Sequence, residues 1–253
     1  MEEKLAQIVK NTDPKASFLL TLTGKGSKLE KTFEPEISVL AGCHYEIAFT
    51  NLETYFSVPN ITENNNSFQI QKKGGTFKNV IVEKGCYGLI DLNAEIQRHL
   101  TDLDMTKGVQ FKANYNTFRC VMIISPNYAV NFSNKNSLAN VLGFKKQTYK
   151  AKTVAKRYIS ENQVNIMSVN SILVHCNLVG DSYLNGKKTT VIHSFYPNVD
   201  PGNKIIEKPV QYIYLPISSD VIRQLTVWLT DQDQQPLDLI NETLTIKFHL
   251  RSC

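Results

Sequence analysis

Residues 243–250, TLTIKFHL, alternate strictly: Leu244, Ile246, Phe248 and Leu250 are apolar, while Thr243, Thr245, Lys247 and His249 are polar. Successive side chains of a strand point to opposite faces, so this pattern predicts a β-strand with one face in a core and the other in water. The same period recurs upstream. In HYEIAF (44–49), Tyr45, Ile47 and Phe49 share one face and His44, Glu46 and Ala48 the other; in QLTVWLT (224–230), Leu225, Val227 and Leu229 oppose Thr226, Trp228 and Thr230. SILVHCNLV (171–179) is apolar nearly throughout and reads as a strand buried on both sides.

Turn signals separate these runs: Asn64–Asn66, Gly74-Gly75, Asn114–Thr117, Asn185-Gly186, Pro201-Gly202 and Gln234–Pro236. Many short strands with frequent turns predict an all-β sandwich or barrel. Two helices interrupt the pattern. GLIDLNAEIQRHL (88–100) places Leu89, Leu92, Ile96 and Leu100 on one helical face, with Asp91 as the expected N-cap. SNKNSLANVLGF (133–144) has Ser133 or Asn136 to cap, Leu138, Val141 and Leu142 as an apolar stripe, and Gly143 as a left-handed stop. Both are too short to stand alone and are expected to lie on a sheet. Residues 1–16, with a short helix over Glu2–Lys10 before Asp13-Pro14, read as a detachable arm.

The chain has 253 residues, 42% of them hydrophobic and 20% charged, a balance that argues against long disorder. Its net charge of +5 is compatible with an acidic or nucleic-acid partner without requiring one. The first residues lack the order of a signal peptide, and no run has the roughly 18–20 apolar residues of a membrane span, so an intracellular site of folding is expected.

Chemistry leaves few traces. The GxSxG, HExxH and GxxxxGK[ST] patterns are missing from the sequence. TGKGSK (23–28) has the composition of a phosphate loop but the wrong spacing, and reads as a basic hairpin tip. DQDQQPLD (231–238) lacks the glycine and terminal glutamate of an EF-hand loop and reads as another hairpin tip. The five histidines are isolated, and His175, inside an apolar strand, is expected to be buried and hydrogen-bonded. No catalytic, cofactor-binding or metal-ligating residue is assigned. KKQTYKAKTVAKR, Lys145–Arg157, carries six basic residues and no acid. It is either a solvated loop or a weak electrostatic contact with nucleic acid or an acidic neighbour, with only Tyr149 and Tyr158 available to stack on bases. Trp228 points away from the expected core face; either a subunit contact or another part of the same chain covers it.

The stretch YNTFRCVMIISPNYAVNFSNKNSLANVLGFKKQTY (115–149) resembles a segment of the adenovirus penton base, in which V-D-F-(S/T)-x-S-x-L-x-x-L-L-G leads into a basic stretch. The matching residues are Val130, Asn131, Phe132, Ser133, Leu138, Leu142 and Gly143, followed by Lys145 and Lys146; the family's second serine falls nearest Asn136 or Ser137, so one spacing differs. FKNVIVEKGCYGLIDLNAEIQRHL (77–100) resembles a strand, turn and helix unit of related viral vertex proteins. The C-terminal third is similar to penton-type minor capsid proteins of Maverick/Polinton elements and adintoviruses, so that the resemblance spans roughly residues 60–251.

This resemblance implies a single jelly-roll domain over residues 1–253, its strands in about 17–57 pairing with those in about 165–251. An insertion at about 60–160 would carry both helices, with the capped segment locking it onto the jelly roll. It implies a structural subunit of virion vertices, assembled in the nucleus or cytoplasm, without cofactor. Its partners would be copies of itself, in a pentamer, and a double jelly-roll major capsid protein. The chain contains no Arg-Gly-Asp, so integrin-type binding is not carried over. Two other readings stand beside this one: a small major capsid subunit, for which 253 residues are short if two sandwiches of ~100 residues are needed, and a host intracellular β-sandwich binding module, including a domesticated viral gene. The cysteines Cys43, Cys86, Cys120, Cys176 and Cys253 show no paired spacing and are expected to be free thiols. Alkylation without reductant followed by peptide mass mapping should find all five modified after denaturation; a stoichiometric internal disulfide would contradict the reducing compartment.

Overall fold

In the computed structural model, which describes residues 17–38, 44–166, 169–217, 219 and 221–252, the alternating stretch is part of β18 (Thr243–Ser252), the last of 18 strands found among those residues. The arm read at residues 1–16 lies outside the described residues, as do Cys43 and Cys253. The chain divides into two units, residues 1–57 with 169–253, and residues 58–168.

The first unit is built around β18. On one side it pairs with β1 (Ser17–Lys25) and on the other with β3 (Tyr45–Tyr55), antiparallel in both cases. β15 (Lys204–Glu207) and the two-residue β16 (Leu215–Pro216) pair with β3 and complete a sheet of order β1-β18-β3-β15. A second sheet has the order β14-β11-β17-β2, from β14 (Val191–Phe195), β11 (Ile172–Cys176), β17 (Val221–Thr230) and β2 (Lys28–Ser38). These two antiparallel sheets, of five and four strands, make a jelly roll in these orders, with a chain excursion between its third strand, β3, and its fourth, β11.

The predicted core faces hold, although Ala48, expected on the outer face of β3, is fully buried as well. Leu244, Ile246, Phe248 and Leu250 of β18 are fully buried, as are Leu225 and Val227 of β17, and every residue of β11 is buried. Phe49 meets Phe248 edge-on at 6.2 Å and stacks on His193 of β14 at 4.3 Å, tying the two sheets together. His193 also sits 2.9 Å from the carboxylate of Glu207 in β15, closing that edge of the sandwich with an ion pair when the imidazole is protonated.

Both expected hairpin tips are sheet-to-sheet corners instead. β1 and β2, flanking Gly26-Ser27, lie in different sheets, each pairing with its own partner. Gly26 turns there with φ +82, a conformation that L side chains rarely adopt. Residues 231–242 likewise carry the chain from β17 to β18. In that loop, Oδ1 of Asp231 accepts from the backbone N–H groups of Asp233 and Gln235, so the carboxylate serves as a turn acceptor. A strand–turn–strand sequence is the same whether the second strand returns along the first or crosses the sandwich. One true two-residue hairpin does occur, between β12 (Ser182–Leu184) and β13 (Lys187–Thr189), with Asn185 and Gly186 both at positive φ.

The second unit has its own core. One sheet has the order β5-β4-β8-β9, from β4 (Ser67–Lys72), β5 (Lys78–Ile81), β8 (Tyr128–Asn131) and β9 (Thr148–Lys150). The other is β10-β7-β6, from β6 (Val109–Asn114), β7 (Arg119–Ile124) and β10 (Lys156–Ile159). Helix α1 (Leu89–Asp102) buries Leu92, Ile96 and Leu100, while Leu89 is only partly buried. Its N-cap is Gly88, not Asp91. Asp91 falls in the first turn, where its negative charge opposes the exposed amide ends, an interaction that needs no capping position.

Phe248→Ala should lower the unfolding free energy by about 3–5 kcal/mol, because a fully buried ring leaves both its transfer energy and a cavity behind. Thr243→Ala, at an exposed position of the same strand, should stay within about 0.5 kcal/mol. Denaturant melts of the two variants check this.

Candidate functional site

Of the residues that carry the resemblance, Val130, Phe132, Leu138, Leu142 and Gly143 lie in the interior of the second unit, whereas Asn131 is half-buried and Ser133 exposed. Val130, in β8, and Phe132, just after it, are fully buried; Phe132 stacks on Phe144 at 5.8 Å and meets Tyr149 edge-on at 6.1 Å. Asn131 is a polar hub. Its Nδ2 donates to Gln69, and its Oδ1 accepts from the Ser133 N–H and the Thr148 hydroxyl. Ser133 is exposed and does not cap. The short helix α2 (Ala139–Leu142) is capped by Leu138, and the nearest side-chain acceptor is Ser137, whose Oγ takes the Ala139 N–H. The stripe of Leu138, Val141 and Leu142 is buried as expected.

Gly143 ends α2 with φ +77. A Cβ at this position would lie 2.4 Å from the carbonyl oxygen of Asn162 and 2.8 Å from that of Gln163. Both the conformation and the close backbone approach therefore demand glycine. The Gly143 carbonyl accepts from the Asn162 N–H and the Val141 carbonyl from the Asn165 N–H, so the segment is stitched to residues 160–166. These contacts are internal to the unit, and no reactive side chain lines them.

His175 and Trp228 face each other across β11 and β17. Their rings are 5.0 Å apart and inclined by only 8°, so the half-buried indole has a partner within the chain. The His175 ring nitrogens meet two hydroxyls, Thr190 at 3.1 Å and Thr230 at 2.9 Å. The Thr230 hydroxyl donates to the Asp231 carbonyl, so it accepts from Nε2–H of His175 and leaves Nδ1 to accept from Thr190. Burial holds the imidazole pKa below its ordinary value of 6.5.

Burial also pushes the thiols of Cys120 and Cys176 up to about 12 and that of Cys86 to about 11, and all three are free. A thiol so protonated at neutral pH is a poor nucleophile. Among the described residues, no group of three or more His, Cys, Asp or Glu side chains could hold a metal ion.

Two surface features remain. All six basic side chains of Lys145–Arg157 are exposed, but the tyrosines between them are not free to stack on bases. Tyr149 is buried with its hydroxyl on Glu161 at 2.8 Å, and Tyr158 packs on it edge-on at 5.0 Å, bonded to the Lys150 carbonyl. The other feature is apolar. Leu19, Ile206, Val210, Tyr212 and Ile213 are all more than half exposed and belong to the jelly-roll unit. Leu19 lies opposite His249 and Ile206 opposite Glu53, on the outer face of the β18 sheet. Tyr212 joins Leu19 in one shallow depression there, and Tyr214 anchors the same segment through a 2.7 Å bond to His249. The sequence pattern missed this face because residues 208–214 have no periodicity.

No family model and no curated protein matches the chain. Among solved structures it is similar to a crystal structure of the mavirus penton protein, at 12% sequence identity and a TM-score of 0.49, covering 94% of this chain and 100% of that one. It is also similar to domains D2–D3 of the flagellar cap protein FliD from Escherichia coli, at 10% identity and a TM-score of 0.19, covering 85% of this chain and 100% of that one. At such values neither likeness assigns an activity, and the jelly roll rests on the strand orders above.

Because His175 has a lower pKa folded than unfolded, the unfolded chain takes up its proton first as the pH falls. Stability contributed by the neutral ring is complete above 6.5 and declines as the pH drops from there toward the folded value. The unfolding free energy of wild type minus that of His175→Gln should therefore shrink on acidification through this window. A difference that stays constant with pH would show that His175 is not held neutral.

Proposed function

We propose that the protein is a structural capsid subunit that assembles with copies of itself. The observation that carries this reading is a closed jelly-roll unit that leaves Leu19, Ile206, Val210, Tyr212 and Ile213 in water. Large apolar side chains left in water on this unit add surface that association with another copy would bury. The inert, tightly packed insertion motif fits the same role, since its residues supply shape and no chemistry.

The finer assignment is a penton-type subunit at the vertices of an icosahedral virion, forming a pentamer beside a double jelly-roll major capsid protein and assembled in the host nucleus or cytoplasm. Its support is the segmental resemblance of residues 115–149 to the adenovirus penton base, with the jelly roll as a compatible scaffold. In this scheme the apolar outer face meets a neighbouring copy, and the exposed part of Trp228 lies at or near another subunit contact.

Sedimentation velocity of the purified chain should give a five-subunit species, and a monomer at all accessible concentrations would contradict the proposal. Ile213→Lys should break the assembly while leaving the far-ultraviolet circular dichroism spectrum of the folded chain unchanged. Trp228→Ala should weaken it by about 2 kcal/mol per contact. If the Trp228 variant assembles normally and melts earlier, its ring serves only to cover His175.

A further inference from the structure

Charge is divided between the two units. Residues 58–168 carry 15 Lys and Arg against 7 Asp and Glu, a net +8, whereas the rest of the chain carries 13 against 16, a net −3. The overall +5 conceals a strongly basic insertion.

Its lysines converge on one turn. The Lys73 N–H donates to the Asn127 carbonyl at 2.7 Å, and the Asn127 N–H donates to the Lys152 carbonyl at 2.7 Å, so Lys73 and Lys152 flank the turn. Lys72 pairs across the sheet with Tyr128, and the Tyr128 carbonyl accepts from the Ala151 N–H. The Ser125 hydroxyl at the start of the turn donates to the Lys107 carbonyl, which brings in a third chain segment. Lys150 is held through its backbone by the Tyr158 hydroxyl, and Lys156 sits 4.8 Å over the Tyr158 ring. All six of these lysines are exposed, and none is ion-paired to a described residue. Six unneutralised cations from four segments repel one another, an arrangement that a polyanion relieves.

We infer that this face of the insertion binds the phosphate backbone of duplex nucleic acid without reading its sequence. β4 and β9 lie on either side of β8, so the flanking lysine rows, Lys73 just past β4 on one side and Lys150 with Lys152 on the other, share the side of the sheet opposite Ile70 and Tyr149. They stand two strand spacings apart, roughly 10 Å, whereas Lys72 takes the alternate register. That separation is comparable to the roughly 12 Å major groove, which lets the two rows address phosphates on its opposite edges. Single strands are held chiefly by stacking on exposed aromatic rings, and here Tyr149 is buried while Tyr158 is covered by Lys156. Lysine rather than arginine dominates, which suits point contacts to phosphate rather than bidentate recognition of a base edge. The segment 145–157 alone does not point to Lys72, Lys73 and Lys107; the charge balance of residues 58–168 does.

The test is fluorescence anisotropy with a short random-sequence DNA duplex, using the intact chain, independent of its oligomeric state. Binding should weaken about a hundredfold between about 50 and about 200 mM salt, the slope of roughly four phosphate contacts. Lys73→Glu/Lys152→Glu should bind at least about tenfold more weakly at low salt and show a shallower slope. Lys187→Glu/Lys188→Glu, an equal charge change in the jelly-roll hairpin, should bind like wild type. Circular dichroism confirms that both variants fold. Equal binding by wild type and Lys73→Glu/Lys152→Glu would overturn the inference, as would equal weakening by the hairpin variant. Tighter binding of the matching single strand would overturn the duplex assignment. Competition by a polyglutamate peptide at equal charge concentration would transfer the site to an acidic protein.

Discussion

The structure depends on one strand having two neighbours from distant parts of the chain. β18 accepts β1 along one edge, with Phe18 opposite Leu250 and Thr23 opposite Thr245, and β3 along the other, with Leu250 also opposite Ile47. Without it, β1 and β3 have no common partner and the first sheet cannot exist as a sheet. On the buried face of this sheet Phe248 packs edge-on against Phe49 of the neighbouring β3, and Phe49 in turn stacks on His193 of the second sheet. Closing a ladder between residues more than 200 positions apart carries a loop-closure entropy that the contacts of the assembled sheet must offset.

The insertion solves a different problem. Its 111 residues lie between two strands of a sandwich and must fold without leaning on the chain ends. Phe68, Phe132 and Phe144 are fully buried there, with Tyr149 beside them, and the rings cluster at centroid distances of 5.5 to 6.1 Å. Gly143 lets the chain turn tightly enough for residues 160–166 to close over that cluster. The turn, strand and short helix of residues 125–144 thus wrap one aromatic core. The surface that results is free to carry charge, and its net +8 exceeds the +5 of the whole chain.

Much of this was legible in the sequence where one face is buried and the other wet. The alternation in β17 and β18 identified the core face correctly, residue by residue, and the apolar run at 171–179 identified a strand buried on both sides. Legibility failed wherever the deciding partner is remote. The turns at Gly26 and at residues 231–238 look like hairpin tips, because whether a strand returns or crosses depends on β17 and β18, not on the turn. The caps failed for a local reason: Asp91 and Ser133 are good capping residues, but backbone geometry begins the helices at Gly88 and Leu138 instead. His175 was read correctly as a bonded core residue, whereas its stacking on Trp228 depends on a cross-strand register that no local pattern reveals. The basic face was half visible, since Lys145–Arg157 is continuous in sequence and its companions at Lys72, Lys73 and Lys107 are joined to it only through the Asn127 turn.

The central claim is that β18 is the strand on which the jelly roll closes, while the insertion is held by its own aromatic core. Hydrogen–deuterium exchange mass spectrometry on a chain ending at Glu242 tests it most directly. Amides in 17–38, 45–55 and 172–230 should lose protection together, with those in 67–159 remaining slow to exchange. Retained protection in β1 and β3 without β18 would contradict the account.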